Sequence, residues 1–168
     1  MFLHKTIILL WCYYYWKDLV MKLKIKYLNK NLLEITSKEG DSGYDLRADI
    51  KDSLTIAPFG IATIPAGICV ELDDFDLPQG CSAELQIRPR SGLTSKGIVA
   101  QLGTVDISYR GEIKVNVFNF NNHDAVIQPM DRIAQMVVCP IFKPATIACE
   151  ELSDTARGDK GFGSSGVK

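Results

Sequence analysis

One short segment of the chain combines a carboxylate, an aromatic ring and two turn-forming glycines. It runs from Gly103 to Gly111 and contains Asp106 and Tyr109. Residues 113–118 alternate between apolar and polar side chains, a period of two that is typical of a strand. We therefore expect Asp106 to lie on a turn-and-strand platform. An aspartate before a turn more often hydrogen-bonds the backbone than takes part in catalysis, so the segment alone favours a capping role.

Two further polar, glycine-bearing segments contain side chains suited to a metal ion or a phosphate. Asp45, within residues 41–48, is a candidate Mg2+ ligand, directly or through water. An isolated aspartate on a strand is more commonly solvated or paired with a neighbour such as Arg47. Residues 88–93 place two arginines and Ser91 before a predicted helix, where guanidinium groups and helix amides attract anions. The competing interpretation is a Ser91 helix cap with surface arginines.

The remaining two segments are an apolar strand and the C-terminal tail. Arg132 and Gln135 should point to opposite faces of a strand, so we take Gln135 as the pocket candidate and Arg132 as an interface or scaffold residue. Residues 157–166 contain four glycines, whose backbone N–H groups can wrap phosphates. Phe162 among them suits a mobile arm that orders on a base. The alternative is a frayed C-terminus.

Length and composition exclude several classes of function. The 168 residues suit one domain, and the net charge of -1 lacks the basic excess of a polynucleotide binder. Five cysteines without C-x-x-C spacing indicate reduced thiols in a cytoplasmic protein rather than disulfides or a zinc site. Only two histidines are present, which argues against a histidine-ligated metal cluster or a Ser-His-Asp triad.

The elements that must position these residues are short strands separated by turns. We predict strands over residues 22–27, 54–56, 61–64, 68–72, 83–87, 113–118, 125–127 and 133–141, and one short helical turn over 93–96. Many short strands at this spacing predict an all-β jelly roll or barrel. We expect residues 21–151 to form this β domain and residues 152–168 to form a mobile arm.

Residues 1–20 differ from the rest of the sequence. They contain an apolar and aromatic run over residues 7–16 that is too short to span a bilayer. A signal peptide would be followed by a cleavage site of small residues, and no such site follows this run. We expect this extension to lie outside the fold, because translation from a start codon upstream of Met21 would produce it. The alternative is that it serves as a membrane-associated leader. No stable membrane association is expected.

Taken together, the five segments resemble the motifs of one family, the trimeric dUTP diphosphatases (dUTPases). The motifs are GYDLRA at 43–48, RPRSGL at 88–93, GTVDISYRGEI at 103–113, RIAQMVV at 132–138 and RGDKGFGSSG at 157–166. The resemblance implies a jelly roll, a homotrimer whose active sites are shared between subunits, and Mg2+-dependent hydrolysis of dUTP to dUMP and pyrophosphate. This reaction keeps uracil out of DNA and supplies dUMP for thymidylate synthesis.

The resemblance also implies roles for individual residues. Asp106 matches the catalytic carboxylate that activates water for in-line attack on the α-phosphorus. Tyr109 matches the aromatic residue under the deoxyribose, and the backbone of the hairpin reads uracil. The other residues implied in substrate binding are Arg90, Ser91, Gly92, Gln101, Thr104, Val105, Lys114, Gln135, Arg157, Phe162, Gly163, Ser164 and Ser165. Asp45 matches the metal position, through water.

Two positions depart from the usual pattern of the family. Gln101 stands near the place where an asparagine often helps to bind uracil, and Lys160 stands where a glycine is frequent in the tail. Two other functions remain as alternatives. A dCTP deaminase has a related fold and needs a glutamate at the base, for which Glu112 is available. A jelly-roll binding module would keep the nucleotide pocket without turnover.

Overall fold

The computed structural model describes residues 22–35, 37–72 and 80–159 of the chain. In those ranges it contains eleven strands and one short helix. The strands are β1 (Leu23–Tyr27), β2 (Tyr44–Arg47), β3 (Leu54–Ile56), β4 (Ile61–Pro65), β5 (Ile68–Leu72), β6 (Cys81–Arg88), β7 (Ile98–Ala100), β8 (Gly103–Asp106), β9 (Lys114–Asn119), β10 (Ala125–Ile127) and β11 (Arg132–Phe142), and the helix is α1 (Ser91–Thr94). The predicted all-β fold with a short helix is confirmed.

The strands form four antiparallel sheets. The largest has the order β2-β11-β6-β8, and a three-stranded sheet has the order β4-β9-β7. Two-stranded sheets pair β1 with β5 and β10 with β3. The sequence analysis does not predict β7, although it predicts β3 and β10, which are equally short.

The core follows from the alternation of side chains along each strand. In β6, Ala83, Leu85 and Ile87 are buried, whereas the residues between them face outward. Strand β9 buries Val115 and Val117 in the same way. Each of the larger side chains, the leucine, isoleucine and valines, contributes about 1.5–3 kcal/mol when it is fully buried. Strands β6 and β9 therefore keep one face for the core and turn the other outward.

One polar side chain, Asn119, lies inside this core with 1% of its surface exposed. Its amide nitrogen donates hydrogen bonds to the carbonyl oxygens of Ile56, Ala57 and His123 at 3.0, 3.1 and 2.8 Å. Its Oδ1 accepts a hydrogen bond from the backbone N–H of Asn121 at 3.0 Å. Asn119 thus joins the end of β9 to the chain after β3 and to the turn before β10.

The helix begins one residue earlier than a Ser91 cap would require. Arg90 is the N-cap residue, in an extended conformation, and no side chain caps the helix. Ser91 is the first helical residue, so the interpretation of Ser91 as a helix cap is wrong. The Ser91 hydroxyl therefore does not cap the helix. The predicted turn over 93–96 lies two residues too late, because Arg90 and not Gly92 ends the extended segment.

The loop after β8 is anchored to the β1–β5 sheet by ion pairs. Arg110 Nε lies 3.3 Å from Glu71 Oε2, and Lys24 Nζ lies 3.0 Å from Glu71 Oε1. Arg110 NH1 also donates hydrogen bonds to the carbonyl oxygens of Ile107 and Tyr109 at 2.6 and 3.0 Å. The hydrogen bond from Lys24, its charge and the charge of Arg110 together lower the pKa of the Glu71 carboxyl. A single carboxylate therefore fastens the loop that carries Tyr109.

Beyond β11 the described chain has no further strand. Residues 144–159 are exposed, and so are the apolar side chains of Phe142, Ile147 and Leu152. Residues 1–20 and the tail residues Phe162, Gly163, Ser164 and Ser165 lie outside the described residues, so the expectations for them stay predictions. No helix within residues 22–35, 37–72 and 80–159 is long and apolar enough to cross a membrane.

We predict that Asn119→Ala lowers the free energy of unfolding by about 3 kcal/mol, because the carbonyl oxygens of Ile56, Ala57 and His123 lose their donor. Urea denaturation at one fixed protein concentration measures this loss. The matched control is Asn116→Ala, on the exposed face of β9, which should cost less than about 1 kcal/mol. Equal losses in the two variants would contradict the role of Asn119.

We predict that Glu71→Gln destabilises the protein at neutral pH and that this effect disappears in acid. The folded state lowers the pKa of Glu71 below 4.5, so its ion pairs stabilise the fold above that pH. The stabilisation is lost as the pH falls through the lowered pKa. Urea midpoints of wild type and variant should therefore converge at low pH. Glu150→Gln, in the exposed tail, is the control, and a pH-independent difference would contradict the prediction.

Candidate functional site

A basic cavity of about 720 Å³ lies where β2, β6 and β11 meet the approach to α1. Five cationic side chains and two carboxylates line it. The lining residues are Lys38, Gly40, Asp41, Ser42, Gly43, Asp45, Arg47, Arg88, Arg90, Ser91, Gly92, Arg132, Gln135 and Val137. This excess of positive charge in a concave surface attracts anions. The structure thus brings together Asp45, Arg90, Ser91, Gly92 and Gln135, as the sequence predicts.

Asp45 is held by two arginines in this basic cavity. Its Oδ1 lies 2.7 Å from Arg90 Nε, and its Oδ2 lies 3.2 Å from Arg132 NH1. Arg47 does not pair with it, and instead donates a hydrogen bond from NH1 to the carbonyl oxygen of Met130 at 2.9 Å. The interpretation of Asp45 as a partner of Arg47 is therefore wrong, because arginines from other segments occupy both carboxylate oxygens.

The donor set around Asp45 does not form a complete metal site from protein side chains. No group of three or more His, Cys, Asp or Glu residues with metal-binding geometry occurs in the described part of the chain. Mg2+ commonly uses one or two protein carboxylates and completes its shell with phosphate oxygens and water. Asp45, one of the two carboxylates in the basic cavity, is suited to be such a protein ligand.

A β-bulge places both Arg132 and Gln135 on the basic cavity, so the expectation that only one would face it is wrong. Arg132 aligns with Arg47 in β2, but Ala134 aligns with Leu46, which leaves an extra residue between them. Ile133 and Ala134 are consequently both buried. The extra residue reverses the alternation, because a bulge places two residues opposite one.

The segment after β6 is fixed to β11 by two hydrogen bonds. Gln135 Nε2 donates to the carbonyl oxygen of Pro89 at 3.0 Å, and Arg90 NH1 donates to the carbonyl oxygen of Arg132 at 3.2 Å. Since α1 has only four residues, the guanidinium groups, rather than the helix, provide the attraction for anions. These hydrogen bonds hold the segment against β11, so its guanidinium groups lie beside the basic cavity before any ligand binds.

A second, smaller cavity of about 250 Å³, here called the hairpin cavity, lies along β8 and the turn that follows. Its lining residues are Thr104, Val105, Asp106, Tyr109, Glu112, Ile113 and Lys114. Asp106 is exposed at the end of β8, which is an edge strand of its sheet. Its carbonyl oxygen accepts a hydrogen bond from the N–H of Tyr109 at 2.9 Å. The carboxylate of Asp106 is therefore free to meet a ligand.

The ring of Tyr109 folds back over the turn. Its hydroxyl donates a hydrogen bond to the carbonyl oxygen of Glu112 at 3.1 Å. A Cβ at Gly111 would collide with that hydroxyl, so only glycine permits this position of the ring. The exposed fraction of Tyr109 is 46%, which leaves one face of the ring open for a ligand.

Gln101 and Arg157 are the other two predicted site residues that the structure describes, and neither lines the basic cavity or the hairpin cavity. Gln101 lines a third cavity of about 130 Å³, which shares one residue, Lys114, with the hairpin cavity. The backbone N–H of Gln101 donates to the carbonyl oxygen of Asn116 at 2.8 Å. Arg157 lies in the exposed tail and lines none of the three cavities.

The basic cavity and the hairpin cavity have no residue in common. Within one chain, the candidate catalytic carboxylate therefore lies in a different cavity from the candidate phosphate-binding residues. Sequence reasoning also missed Lys38, Arg47 and Arg88, which line the basic cavity. Arg47 and Arg88 lie within the segments already singled out, whereas no pattern in the sequence distinguishes Lys38.

Known proteins resemble this chain over most of its length. The family model described as dUTPase matches residues 31–166. The deoxyuridine 5'-triphosphate nucleotidohydrolase of Helicobacter pylori (strain P12) is 43% identical over 151 residues, which cover 88% of this chain and 98% of the relative. The enzyme of the same name from Hydrogenobaculum sp. is 43% identical over 152 residues, which cover 88% and 100%.

Solved structures show the same fold. The Staphylococcus bacteriophage 80alpha dUTPase with dUPNHPP has a TM-score of 0.72 and 28% identity, covering 87% of this chain and 99% of its own. A phage phi11 dUTPase, described with a structural Mg(II) ion, has a TM-score of 0.67, covers 79% and 99%, and at 22% identity supports the fold alone. The family model and the curated relatives span most of the sequence, and this chain belongs to the dUTPase family.

Proposed function

We propose that this chain hydrolyses dUTP to dUMP and pyrophosphate, in active sites assembled from more than one copy of the chain. One observation carries the proposal. The exposed carboxylate of Asp106 lies in the hairpin cavity, whereas the arginine-rich cavity that suits a polyphosphate lies apart from it. Each cavity supplies the part of a nucleotide site that the other lacks.

The hairpin cavity accounts for selection of the base and the sugar. The backbone of Thr104 and Val105, together with Lys114, lines the space where uracil would form hydrogen bonds. A fixed set of backbone donors and acceptors rejects cytosine, because its amino group would leave buried polar groups unpaired. Tyr109 packs under the deoxyribose, where a 2'-hydroxyl would collide with the ring.

Asp106 orients and deprotonates the water that attacks the α-phosphorus in line with the leaving pyrophosphate. A carboxylate is a weak base, but phosphoryl transfer depends more on positioning and charge neutralisation than on base strength. Arg90, Ser91, Gly92 and Gln135 hold the phosphates. Asp45 would hold, through water, a Mg2+ ion bound with the nucleotide, and that ion would neutralise charge on the phosphates.

The assembly is a homotrimer, as the resemblance to the family implies. Two features of the single chain support this proposal: the separation of the two cavities, and the exposed apolar side chains of Phe142, Ile147 and Leu152. Apolar side chains at such spacing in an extended segment suit burial against another copy. The tail then reaches a neighbouring site, where Phe162 stacks on uracil.

The remaining tail residues close the site on the terminal phosphate. They are Arg157, Gly163, Ser164 and Ser165. We also propose that the protein acts in the cytoplasm, which the free thiols of Cys69, Cys81, Cys139 and Cys149 support. Residues 21–151 form the catalytic β domain in this proposal, and residues 152–168 form the arm.

The alternative enzyme is a dCTP deaminase. Glu112 lines the hairpin cavity, where a proton-shuttling glutamate would lie. Its carbonyl oxygen accepts the Tyr109 hydrogen bond, and nothing in that contact depends on its side chain. Release of ammonia from dCTP distinguishes this reaction from hydrolysis of dUTP.

We expect the protein to release pyrophosphate rapidly from dUTP and at least about a hundredfold more slowly from dCTP, dTTP and UTP, because each mismatch leaves polar groups unpaired or collides with the hairpin. Pyrophosphate release from the four nucleotides, measured side by side with Mg2+, tests this. Ammonia from dCTP would favour the deaminase, and binding of dUTP without turnover would favour a binding module.

We predict that Asp106→Asn lowers kcat at least about a hundredfold, because general-base catalysis typically contributes this much. The affinity for dUTP should change little, since the amide keeps the shape of the side chain. Single-turnover pyrophosphate release and calorimetric titration separate the two quantities. Asp52→Asn, at an exposed position in the loop before β3, is the matched control, and unchanged turnover in Asp106→Asn would remove Asp106 from its role.

A further inference from the structure

The outward face of β6 carries a chain of hydrogen-bonded side chains. Gln86 Nε2 donates to Glu84 Oε1 at 2.5 Å. Gln86 Oε1 accepts from Arg88 Nε at 3.0 Å and from Arg88 NH2 at 2.8 Å. The three residues alternate with the buried Leu85 and Ile87, so they share one face of the strand. They form a polar ladder that ends at Arg88.

The ladder fixes the orientation of its middle member. An amide side chain offers donors at one end and an acceptor at the other. Because the Glu84 carboxylate only accepts hydrogen bonds, it holds the nitrogen end of Gln86 and turns Oε1 towards Arg88. The guanidinium is then held by two hydrogen bonds, from Nε and NH2, that converge on this one oxygen.

The end of the ladder projects into the basic cavity. Arg88 lines that cavity together with Arg90 and Ser91. Its NH2 group also donates to the Sγ of Cys139 at 3.0 Å, a neutral partner. Arg90 and Arg132 both pair with Asp45, but no carboxylate in the described ranges lies within ion-pair distance of Arg88.

A half-buried guanidinium without a counter-ion is costly, because water is removed from its charge without a compensating partner. A bound anion would supply that partner. The Nε and NH2 groups of Arg88 already bond Gln86 and Cys139, which leaves NH1 to meet a phosphate oxygen. The basic cavity therefore contains a guanidinium group that has no counter-ion among the described residues and is already held in one orientation.

We propose that Arg88 binds a phosphate group of the nucleotide, and that Glu84 and Gln86 act as positioning residues for its guanidinium. This inference rests on the proposed function of the basic cavity, to which it adds a further phosphate-binding residue. Glu84 acts through Gln86 and does not touch the nucleotide. The alternative is that the ladder only stabilises the sheet.

The affinities of the full chain for dUPNHPP and for deoxyuridine separate these two roles. Arg88→Met should weaken binding of dUPNHPP about tenfold or more, as expected for loss of a charge-assisted hydrogen bond, and leave deoxyuridine binding unchanged. Arg88→Lys should lose less, since an ammonium keeps the charge but not the fork. The control Lys51→Met removes a positive charge that does not line the cavity.

The positioning residues are tested by a pair of substitutions at one site. Glu84→Ala frees Gln86 to rotate and should weaken dUPNHPP binding roughly threefold to tenfold, within the range of a single hydrogen bond. Glu84→Gln still presents an acceptor oxygen to Gln86 and should restore most of the affinity. A merely structural ladder would change the urea midpoint in both variants without this selective loss and rescue.

The results also separate this inference from the proposed function. If wild type hydrolyses dUTP but Arg88→Met and Arg88→Lys bind dUPNHPP as tightly as wild type, the role of Arg88 is overturned and the proposed function stands. If wild type shows no pyrophosphate release from dUTP, the proposed function itself fails. Equal weakening of dUPNHPP and deoxyuridine in Arg88→Met would also overturn the role of Arg88, because it would indicate a general distortion.

Discussion

The pairing of β11 with β2 on one side and β6 on the other is the constraint on which the candidate site depends. This strand aligns Gln135 with Asp45 in β2 and with Arg88 in β6. Residues from three distant parts of the sequence are thereby placed in one row across the sheet. The bulge at the start of β11 adds Arg132 to the same surface. Without the bulge, regular alternation along β11 would have buried that guanidinium or turned it away from the basic cavity.

Charge balance explains how so many cations tolerate one another in the basic cavity. Asp45 neutralises part of the charge of Arg90 and Arg132 and holds both side chains in place. The cavity still has more cationic groups than carboxylates. It therefore attracts a polyanion without first having to order its own side chains, which reduces the entropic cost of binding. A metal ion near Asp45 would share that carboxylate with the arginines.

The proposed site is divided between two cavities, and each cavity has its own physical requirements. A hairpin that reads a base needs an exposed backbone and an edge strand, which β8 provides. A phosphate site needs a rigid, concave and cationic surface, which the centre of the same sheet provides. One small domain presents both surfaces but in different places, and the proposed function therefore joins them through contact between copies. The ion pair of Arg110 with Glu71 holds the loop after β8 against the β1–β5 sheet.

The sequence by itself determined the fold class, the family, most strands and most residues that line the hairpin cavity, but only a minority of those that line the basic cavity. Period-two alternation and turn residues are local signals, so they can be recognised without a structure. The strand β7 was not recognised. The five motifs were also visible, because each lies within a continuous segment.

Only the tertiary structure decided which of these residues meet. The bulge at Ile133 depends on pairing between strands that are far apart in sequence, and it reversed the expected direction of Arg132. The partners of Asp45 are Arg90 and Arg132, and not its neighbour Arg47, because these contacts also depend on pairing between distant segments. The ladder from Glu84 to Arg88 follows an alternation that the sequence contains, but its hydrogen bonds and its position at the basic cavity require the packed sheet. Contacts across strands depend on register, and register is set by the whole fold.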